Sequence, residues 1–261
     1  PPPPPPPPPL FFSTPKPAYE MLRSLVGSEM CIRDRITGVG PGTGTALVRK
    51  FAREGYRVAM ISRTKERLEA LESGLTDVKG FVCDVADSVG LESTFREIEN
   101  QLGQPQVLVH NAVGAERGTY MEIDPEKFLK AFQINTMALL HLARLITPSM
   151  IERQFGAIIC TGNTSAYRGK PRFAGFAPTK AAQRILLESI AREAGPKGVH
   201  AAYVAIDAVI DLPWTREAFK DAKDDFFCKP DDIADECFRI AHQPKSAWSS
   251  ESVIRPFGET W

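Results

Sequence analysis

Short apolar runs alternate with longer segments of helical periodicity along most of this chain, starting at Ile36. In TALVRKFAREG the apolar positions recur at helical spacing, which predicts a helix from about Thr43 to Glu54. Later strands are predicted at 56–62, 78–85, 106–112, 156–162 and 199–206, with helices at 64–75, 88–102, 125–151 and 175–195. Parallel strands need crossovers, and helical crossovers cover both faces of a sheet. The pattern therefore predicts an α/β fold with a doubly wound, mostly parallel sheet in a single domain.

The front and the tail of the chain set the limits of this domain. Short helices at 214–223 and 231–242 and a strand in SVIRP continue the pattern in the tail. Residues 1–35 do not continue it, because the first nine are all proline and the rest show no sustained helical or strand periodicity. SLVGSEMCIRDR also resembles translated adapter sequence of the kind that contaminates transcriptome assemblies. We expect a non-native leader over 1–35, or alternatively a genuine disordered leader, and a native domain over 36–261.

The residues just before Ile36 are a poor match to a first strand. A central parallel strand is covered on both faces and is usually a continuous apolar run. Arg33, Asp34 and Arg35 would leave such a strand or lose solvation at a cost of several kcal/mol each unless they are paired. We therefore expect that an apolar strand has been overwritten here.

Composition and charge narrow the possible partners. The chain is 43% hydrophobic and 25% charged, and its 32 basic residues balance its 32 acidic residues. No summed field favours nucleic acid, an anionic membrane or a strongly charged substrate, so partners must be sought in local sites. The five cysteines are widely spaced, with no CxxC pair and no clustered histidines, which favours a reducing compartment and no metal site. No apolar run reaches the roughly 18 residues that a membrane span needs, and the predicted location is cytoplasmic.

Three glycines lie between a strand position and the helix that begins near Thr43. Gly38, Gly42 and Gly44 form a GxxxGxG pattern. Glycines allow a tight turn and a close approach of the backbone to a diphosphate, and the helix N-terminus offers unpaired N–H groups and a positive dipole end. The pattern predicts a dinucleotide site, with a strand-to-helix loop that binds no nucleotide as the alternative.

The TGxxxGxG spacing at 37–44 resembles that of the short-chain dehydrogenase/reductase family, and the likeness continues to the C-terminus. HNAVG at 110–114 resembles the family's NNAG motif, and Asn135 resembles its helix asparagine. The resemblance implies a Rossmann-like fold, a nicotinamide cofactor, and homodimers or homotetramers. The cofactor contacts that it implies, beyond the glycine loop, fall on Asp84, Val85, Asn111, Ala112 and Lys180.

The end of the second strand indicates which dinucleotide binds. An acidic side chain there receives the ribose 2′-hydroxyl of NAD, and an arginine accommodates the 2′-phosphate of NADP. Ser62 and Arg63 stand at this place without an acid, so NADP(H) is predicted ahead of NAD. In the alternative, Arg63 with Lys65 and Arg67 is only the solvated start of a helix.

The resemblance also reveals changed catalytic positions. In the family a tyrosine protonates the substrate oxygen, a lysine four residues later lowers the pKa of that tyrosine, and a serine thirteen residues earlier polarises the carbonyl. Lys180 matches the lysine, but Phe176 and Asn163 stand at the tyrosine and serine positions. A phenyl ring has no exchangeable proton, and a positioned general acid contributes about 10²- to 10⁴-fold to a rate. The predicted catalytic residues are Lys180, Asn135 and Asn163, whose amide can polarise a carbonyl.

Side chains near this position have alternative roles. Phe176 and Tyr167 are predicted to line the substrate pocket, and Tyr167 either supplies a proton or packs and caps its loop. His110 is predicted to mark a backbone contact, with a proton relay as the alternative. Asp207 and Asp211 are predicted as turn residues, with substrate-facing carboxylates as the alternative.

Two functions follow from these residues. The first is an NAD(P)-dependent oxidoreductase that transfers a hydride between NADP(H) and an unidentified carbonyl or alcohol, with water as the proton source. The second is a catalytically impaired NADP(H)-binding protein that acts as a sensor or assembly partner. Residue 176 distinguishes these two functions, because a phenylalanine there cannot donate the proton that the family's tyrosine supplies. GPGTG, FAPTK and HQPKSAW resemble a divergent branch of the family, which favours the oxidoreductase.

Overall fold

Strands and helices alternate across residues 33–258, the part of the chain that the computed structural model describes. The strands are β1 (Arg33–Thr37), β2 (Arg57–Ser62), β3 (Val78–Val82), β4 (Val107–His110), β5 (Gly156–Asn163), β6 (Val199–Ile206), β7 (Val209–Ile210), β8 (Phe227–Cys228) and β9 (Glu251–Ile254). The α-helices are α1 (Thr43–Arg53), α2 (Lys65–Gly74), α3 (Ser88–Leu102), α4 (Pro125–Phe132), α5 (Ala138–Glu152), α6 (Ala177–Ala194), α7 (Pro213–Ala218) and α8 (Pro230–Ala241). Seven strands form one parallel sheet in the order β3-β2-β1-β4-β5-β6-β9.

Two hydrophobic layers cover the faces of this sheet. One layer packs α3, α5 and α6 against it through residues such as Phe95, Leu142 and Leu187. The other packs α1, α2 and α8 against the opposite face through residues such as Phe51 and Ile233. Burial of these apolar stripes is the main favourable contribution to folding. The arrangement confirms the predicted Rossmann-like, doubly wound parallel sheet in a single domain.

The structure departs from the predicted elements in the second half of the chain. The long helix predicted at 125–151 contains a π-helical turn, Gln133–Met137, between α4 and α5. Hydrophobic periodicity does not predict such a turn. π-helical turns are frequent at functional sites. The helix predicted at 214–223 ends at Ala218, and the pairing of β7 with β8 was not predicted. Each of these departures lies near the carboxyl edge of the sheet or in the tail that covers it.

β1 begins at Arg33, so the predicted domain boundary at Ile36 lies inside the strand. Backbone pairing with β2 and β4 on both sides extends the strand through the charged residues. Asp34 and Arg35 are fully buried, and Asp34 Oδ1 accepts a hydrogen bond from Val107 N at 3.0 Å. Asp34 Oδ2 and two of the Arg35 nitrogens, Nε and Nη1, have no partner among the described residues. The expected desolvation cost is therefore present within the sheet.

The pKa values of these groups reflect the same cost. Burial raises the pKa of Asp34 well above its usual value and lowers the pKa of Arg35 to about 10. Residues 1–32 lie outside the described part of the chain, so the non-native origin of the leader stays a prediction.

Membrane-spanning helices and metal clusters are both absent from residues 33–258. None of the helices there combines the length and the apolar character needed to cross a bilayer. The same residues bring together no group of three His, Cys, Asp or Glu side chains that could hold a metal ion.

Candidate functional site

A cleft of about 310 Å³ opens at the carboxyl edge of the sheet, where β1 to β4 end. Ligands of open α/β sheets bind outside the carboxyl ends of the strands. Among the lining residues are Gly38, Gly42, Thr43, Gly44, Ser62, Arg63, Asp84, Val85, Asn111 and Ala112. The structure thus brings together every predicted cofactor residue except Lys180, which is buried in a separate network.

The glycine loop packs so tightly that side chains are excluded from two of its positions. Gly38 has a φ of 71°, and a Cβ there would lie 2.4 Å from the Cα of Ala112. A Cβ on Gly44 would lie 2.4 Å from the carbonyl oxygen of Gly38. Thr45 N and Thr45 Oγ1 both donate to Gly40 O, at 3.0 and 2.6 Å. The loop is therefore held in a fixed shape before any ligand arrives.

The start of α1 offers unpaired polar groups to this cleft. Gly42 is the N-cap and supplies no side-chain bond, so the N–H groups of Thr43 and Gly44 have no capping side chain, whereas Thr45 N is bonded to Gly40 O. Thr43 is buried, and its hydroxyl Oγ1 has no hydrogen-bond partner within residues 33–258. Together with the positive end of the helix dipole, these donors are suited to a phosphate group. The residues present fit the diphosphate of a dinucleotide.

Arg63 and Arg67 supply positive charge where β2 ends. Both line the cleft, and Arg67 Nη1 donates to Val39 O at 3.4 Å. Arg63 is exposed and has no ion pair or hydrogen bond within the described part of the chain. Lys65 instead pairs with Glu69 at 3.4 Å. The Arg63 guanidinium is therefore available to an anionic ligand. A surface arginine that already pairs with an acidic side chain would not be.

The loop after β3 is fixed by two aspartates. Asp84 Oδ1 accepts from Ala86 N at 3.0 Å, and its Oδ2 pairs with Lys130 at 3.0 Å. Asp87 caps α3, since its Oδ1 accepts from Val89 N at 3.2 Å and from Gly90 N at 3.1 Å. Asp84 and Val85 are thereby held at the cleft wall, where the family resemblance expects the adenine.

Lys180 lies in a buried polar network beside the cleft. Its side chain is only 2% exposed, and its Nζ donates to Gln183 Oε1 at 2.9 Å and to Thr161 O at 3.5 Å. Gln183 Nε2 in turn donates to the backbone oxygen of Asn135 at 2.6 Å. Burial lowers the pKa of Lys180 to about 8. The Gln183 amide therefore joins the lysine to the π-helical turn, a role that the sequence reasoning missed.

The Asn135 side chain joins the two loops that flank Phe176. Its Oδ1 accepts from Gly114 N at 2.9 Å, and its Nδ2 donates to Gly114 O and to Thr179 Oγ1, both at 2.8 Å. Thr179 Oγ1 donates onward to Phe176 O at 2.7 Å. Both N–H groups of the Asn135 amide are committed to protein atoms. The predicted catalytic asparagine thus has a structural task in this fold.

Phe176 and Asn163, which the resemblance predicts at the tyrosine and serine positions, lie on either side of the loop after β5. Phe176 is 3% exposed and forms the N-cap residue of α6, four residues before Lys180. Asn163 ends β5 and is half-buried, and its Oδ1 accepts from Ser165 N at 3.1 Å. That bond uses the amide oxygen and leaves the NH₂ group outside it.

Tyr167 lies outside the dinucleotide cleft, and its predicted place in the substrate pocket beside Phe176 stays a prediction. Its hydroxyl donates to Glu251 Oε2 on β9 at 3.1 Å, and Arg184 lies 4.9 Å from the centroid of its ring. It lines a separate hollow with residues of the loop after β5 and the start of α6. The ion pair between Arg184 and Glu251 fixes the tyrosine there, which favours the packing alternative.

His110 and the two aspartates of the tail have bonds that favour their simpler interpretations. His110 is fully buried, with Nδ1 2.8 Å from Thr37 Oγ1 and Nε2 3.2 Å from Ile134 O. Burial, followed by the charge of Lys180, lowers the pKa of His110 to about 4. A neutral imidazole donating to Ile134 O and accepting from Thr37 satisfies both nitrogens. In the tail, Thr164 donates to Asp207, and Asp211 accepts two bonds from the Arg216 guanidinium at 2.7 and 2.8 Å.

The profile of the short chain dehydrogenase family matches residues 35–221. The chain belongs to this family. The 3-oxoacyl-[acyl-carrier-protein] reductase MabA of Mycobacterium bovis is 32% identical to this family member over 181 residues, which cover 69% of the chain and 70% of the relative. The human protein "Short-chain dehydrogenase/reductase 3" is 30% identical over 160 residues, which cover 59% of the chain and only 53% of that relative.

Solved structures resemble this short chain dehydrogenase over nearly all of their length. A metagenomic short-chain oxidoreductase in complex with NADP has a TM-score of 0.76 and 25% identity, covering 87% of this chain and 98% of that one. An alcohol dehydrogenase from the archaeon Thermococcus sibiricus, complexed with 5-hydroxy-NADP, has a TM-score of 0.77 and 23% identity, covering 88% and 99%. At 23% identity, the likeness to the alcohol dehydrogenase shows only that the two chains share a fold.

Proposed function

We propose that this protein is an NADP(H)-dependent oxidoreductase that interconverts a carbonyl group and an alcohol on a small-molecule substrate. The observation that carries the proposal is the glycine-lined start of α1, where the Thr43 hydroxyl is buried without a partner and faces a cleft. Gly38 and Gly44 let the backbone approach a diphosphate there. Family membership and the NADP complex of the metagenomic relative support the same cofactor.

The preference for NADP(H) over NAD(H) rests on Arg63. Its guanidinium lines the cleft and forms no ion pair or hydrogen bond in residues 33–258, although the Asp84 carboxylate is near enough for the two charges to interact. Ser62 beside it is buried at the end of β2. A 2′-phosphate would accept charge-assisted hydrogen bonds from that guanidinium. Such bonds contribute roughly 1.5–3 kcal/mol each, about a 10- to 100-fold change in affinity.

Calorimetric titration of NADPH and NADH tests this preference. We expect Arg63→Gln to weaken NADPH binding about 10- to 100-fold and to leave NADH binding nearly unchanged. Lys65→Gln removes the same charge two residues away and is the matched control, because Lys65 pairs with Glu69. Equal NADPH affinity in wild type and Arg63→Gln would contradict the proposal.

The chemistry that a bound nicotinamide supplies is transfer of a hydride to or from the substrate carbon. On reduction the carbonyl oxygen gains negative charge and needs one proton to become a hydroxyl. We propose that the Asn163 amide donates to this oxygen, because its NH₂ group stands outside the bond to Ser165. Lys180 adds positive charge from the buried network beside the cleft, and water supplies the proton that Phe176 lacks.

The catalytically impaired alternative rests on Phe176 alone. Family membership, and the buried network that joins Lys180 to the backbone of Asn135, support the oxidoreductase. NADPH consumption with a carbonyl panel separates the two functions. Turnover that depends on Lys180 supports the enzyme, whereas NADPH binding without consumption of NADPH by any substrate would support the binding protein.

We also propose a cytoplasmic homodimer or homotetramer. All four cysteines between residues 33 and 258 are free thiols, as expected in a reducing compartment. Ile185 on α6 is 53% exposed, and a second copy packed on this helix would bury it. Light scattering across a range of protein concentrations tests the assembly, and a monomer throughout would contradict it.

A further inference from the structure

Arg117 lies over the ring that replaces the family's catalytic tyrosine. Its guanidinium carbon is 5.9 Å from the centroid of the Phe176 ring and 5.2 Å from that of Phe173. The two rings are themselves 6.3 Å apart. Arginine is attracted to aromatic faces at such distances, which orders a long side chain at low cost. The guanidinium is thereby held against the ring of Phe176, four residues before Lys180.

The backbone that carries Arg117 is fixed on both sides. Gly118 N donates to Arg172 O at 3.0 Å, and Gly118 forms a β-bridge with Phe173. Upstream, Gly114 exchanges two bonds with the Asn135 side chain at 2.9 and 2.8 Å. Because Asn135 also holds Thr179 at the start of α6, one amide sets the spacing between the arginine loop and the phenylalanine ring. The Arg117 side chain is exposed, but the backbone that carries it is fixed on both sides.

The guanidinium of Arg117 has no anionic partner in the described part of the chain. It makes no ion pair and no hydrogen bond within residues 33–258 beyond its contacts with the two rings. Other arginines nearby are paired, since Arg172 lies 3.4 Å from Glu122 and Arg184 pairs with Glu251. Five N–H donors in a planar fork match the two oxygens of a carboxylate. Phe173 is half-buried, lines the same hollow as Tyr167 and adds an apolar surface beside these donors.

We propose that Arg117 binds a carboxylate of the substrate, so that the substrate class is a carbonyl compound with a carboxylate group next to an apolar or aromatic body. This inference rests on the proposed oxidoreductase function, because it assigns the substrate of that same site. Arg117 is then a specificity-determining residue. The rings of Phe173 and Phe176 orient the guanidinium, and the carboxylate fixes the carbonyl group near Lys180 and Asn163.

The test uses benzoylformate, an aromatic 2-oxo acid, and its neutral methyl ester as probes. Each is titrated into the full chain by calorimetry, with and without saturating NADP⁺, which prevents reduction of the probe. Wild type is expected to bind the acid at least about 10-fold more tightly than the ester, because a charge-assisted bidentate pair forms only with the acid. Arg117→Gln is expected to abolish this preference while NADPH binding stays unchanged.

Arg172→Gln is the matched control. It removes one positive charge from the same pair of loops, but Arg172 already pairs with Glu122 and is expected to contribute nothing to the preference. The proposal is overturned if wild type shows no preference for the acid, if Arg117→Gln keeps it, or if Arg172→Gln loses it equally. If NADPH fails to bind, the proposed function fails instead, and the titration without cofactor still reports on Arg117.

Discussion

The ammonium group of Lys180 and the side-chain oxygen of Gln183 lie 2.9 Å apart in the interior of the domain, three residues apart on α6. The same Gln183 amide donates to the backbone oxygen of Asn135 at 2.6 Å. A buried cation without an acceptor is costly, so this amide stabilises the charged form of the lysine. It also fixes the lysine to the turn that positions Phe176 and the loop of Arg117.

Gln183→Leu is expected to destabilise the protein by about 1.5–3 kcal/mol, since it removes the acceptor of a buried charged group. The pKa of Lys180 should fall further below its ordinary value. Urea unfolding and the pH profile of NADPH binding measure the two effects. Gln101→Leu removes an exposed bond to Glu97 of similar length, 2.8 Å, and should change stability by less than about 0.5 kcal/mol. Equal losses in both variants would argue against a special role for Gln183.

The buried His110 side chain should make the free energy of unfolding depend on pH. Its pKa is about 4 in the folded protein and near the ordinary 6.5 in the unfolded chain, so the unfolded chain binds more protons between these values. The free energy of unfolding should therefore fall as pH drops from about 6.5 to about 4, by on the order of 3 kcal/mol in total.

His110→Asn removes this titration, and comparison with wild type cancels the contributions of other groups. The difference between the two proteins should shrink or reverse as pH falls through that window. His141→Asn on α5 is the control for losing a histidine. A pH profile of the unfolding free energy that is parallel in wild type and His110→Asn would mean that His110 is not held neutral.

Phe176→Tyr restores a hydroxyl four residues before Lys180 on the same helix. If water replaces the missing acid, as proposed, the tyrosine should raise the rate of NADPH consumption by about 10²- to 10⁴-fold, the usual contribution of a positioned general acid. Phe155→Tyr, at the opposite edge of the sheet before β5, should leave the rate unchanged. No gain in Phe176→Tyr would show that the changed position does not limit turnover.

The charged residues of β1 predict an unusual gain in stability. Asp34 and Arg35 are separate buried charged groups that form no ion pair with each other, and three of their buried polar atoms have no partner within residues 33–258. A buried polar atom without a partner costs about 1–3 kcal/mol, so Asp34→Val combined with Arg35→Met is expected to raise the free energy of unfolding by about that amount.

The control for this double variant is Glu92→Val with Arg96→Met, which removes an exposed ion pair on α3. That pair should contribute less than about 1 kcal/mol. Urea midpoints measure both variants. A loss of stability in the β1 variant would mean that the buried charges are satisfied by groups outside the described residues or by water.

The alternation of strands and helices was predictable because each element carries its own periodicity, as in TALVRKF of α1 or VLVH of β4. The glycine loop was predictable because the spacing of its glycines indicates a tight backbone turn between a strand and a helix. The start of β1 was not, since pairing with both neighbouring strands outweighed the polarity of Arg33 to Arg35. A local pattern contains no information about such long-range pairing.

Side-chain partners were the least predictable part of the site. Gln183 follows Lys180 at helical spacing, so its proximity was readable from KAAQ, but its bond to the Asn135 backbone required the π-helical turn. Arg117 belongs to a loop without periodicity, and only the β-bridge between Gly118 and Phe173 brings it to the ring of Phe176. Residues that meet through irregular backbone have no signature in a single sequence.

Calorimetric titration of the full chain with NADPH is the most direct test that the glycine-lined start of α1 holds a dinucleotide. We predict saturable binding at one site per chain, lost in Gly42→Val. The valine side chain would occupy space at the glycine-lined start of α1. The atom nearest to its Cβ, at 2.5 Å, is Cδ2 at the flexible end of the Leu212 side chain, so the variant should still fold. Absence of saturable heat with both NADPH and NADH, or unchanged binding in a folded Gly42→Val variant, would contradict the proposed site.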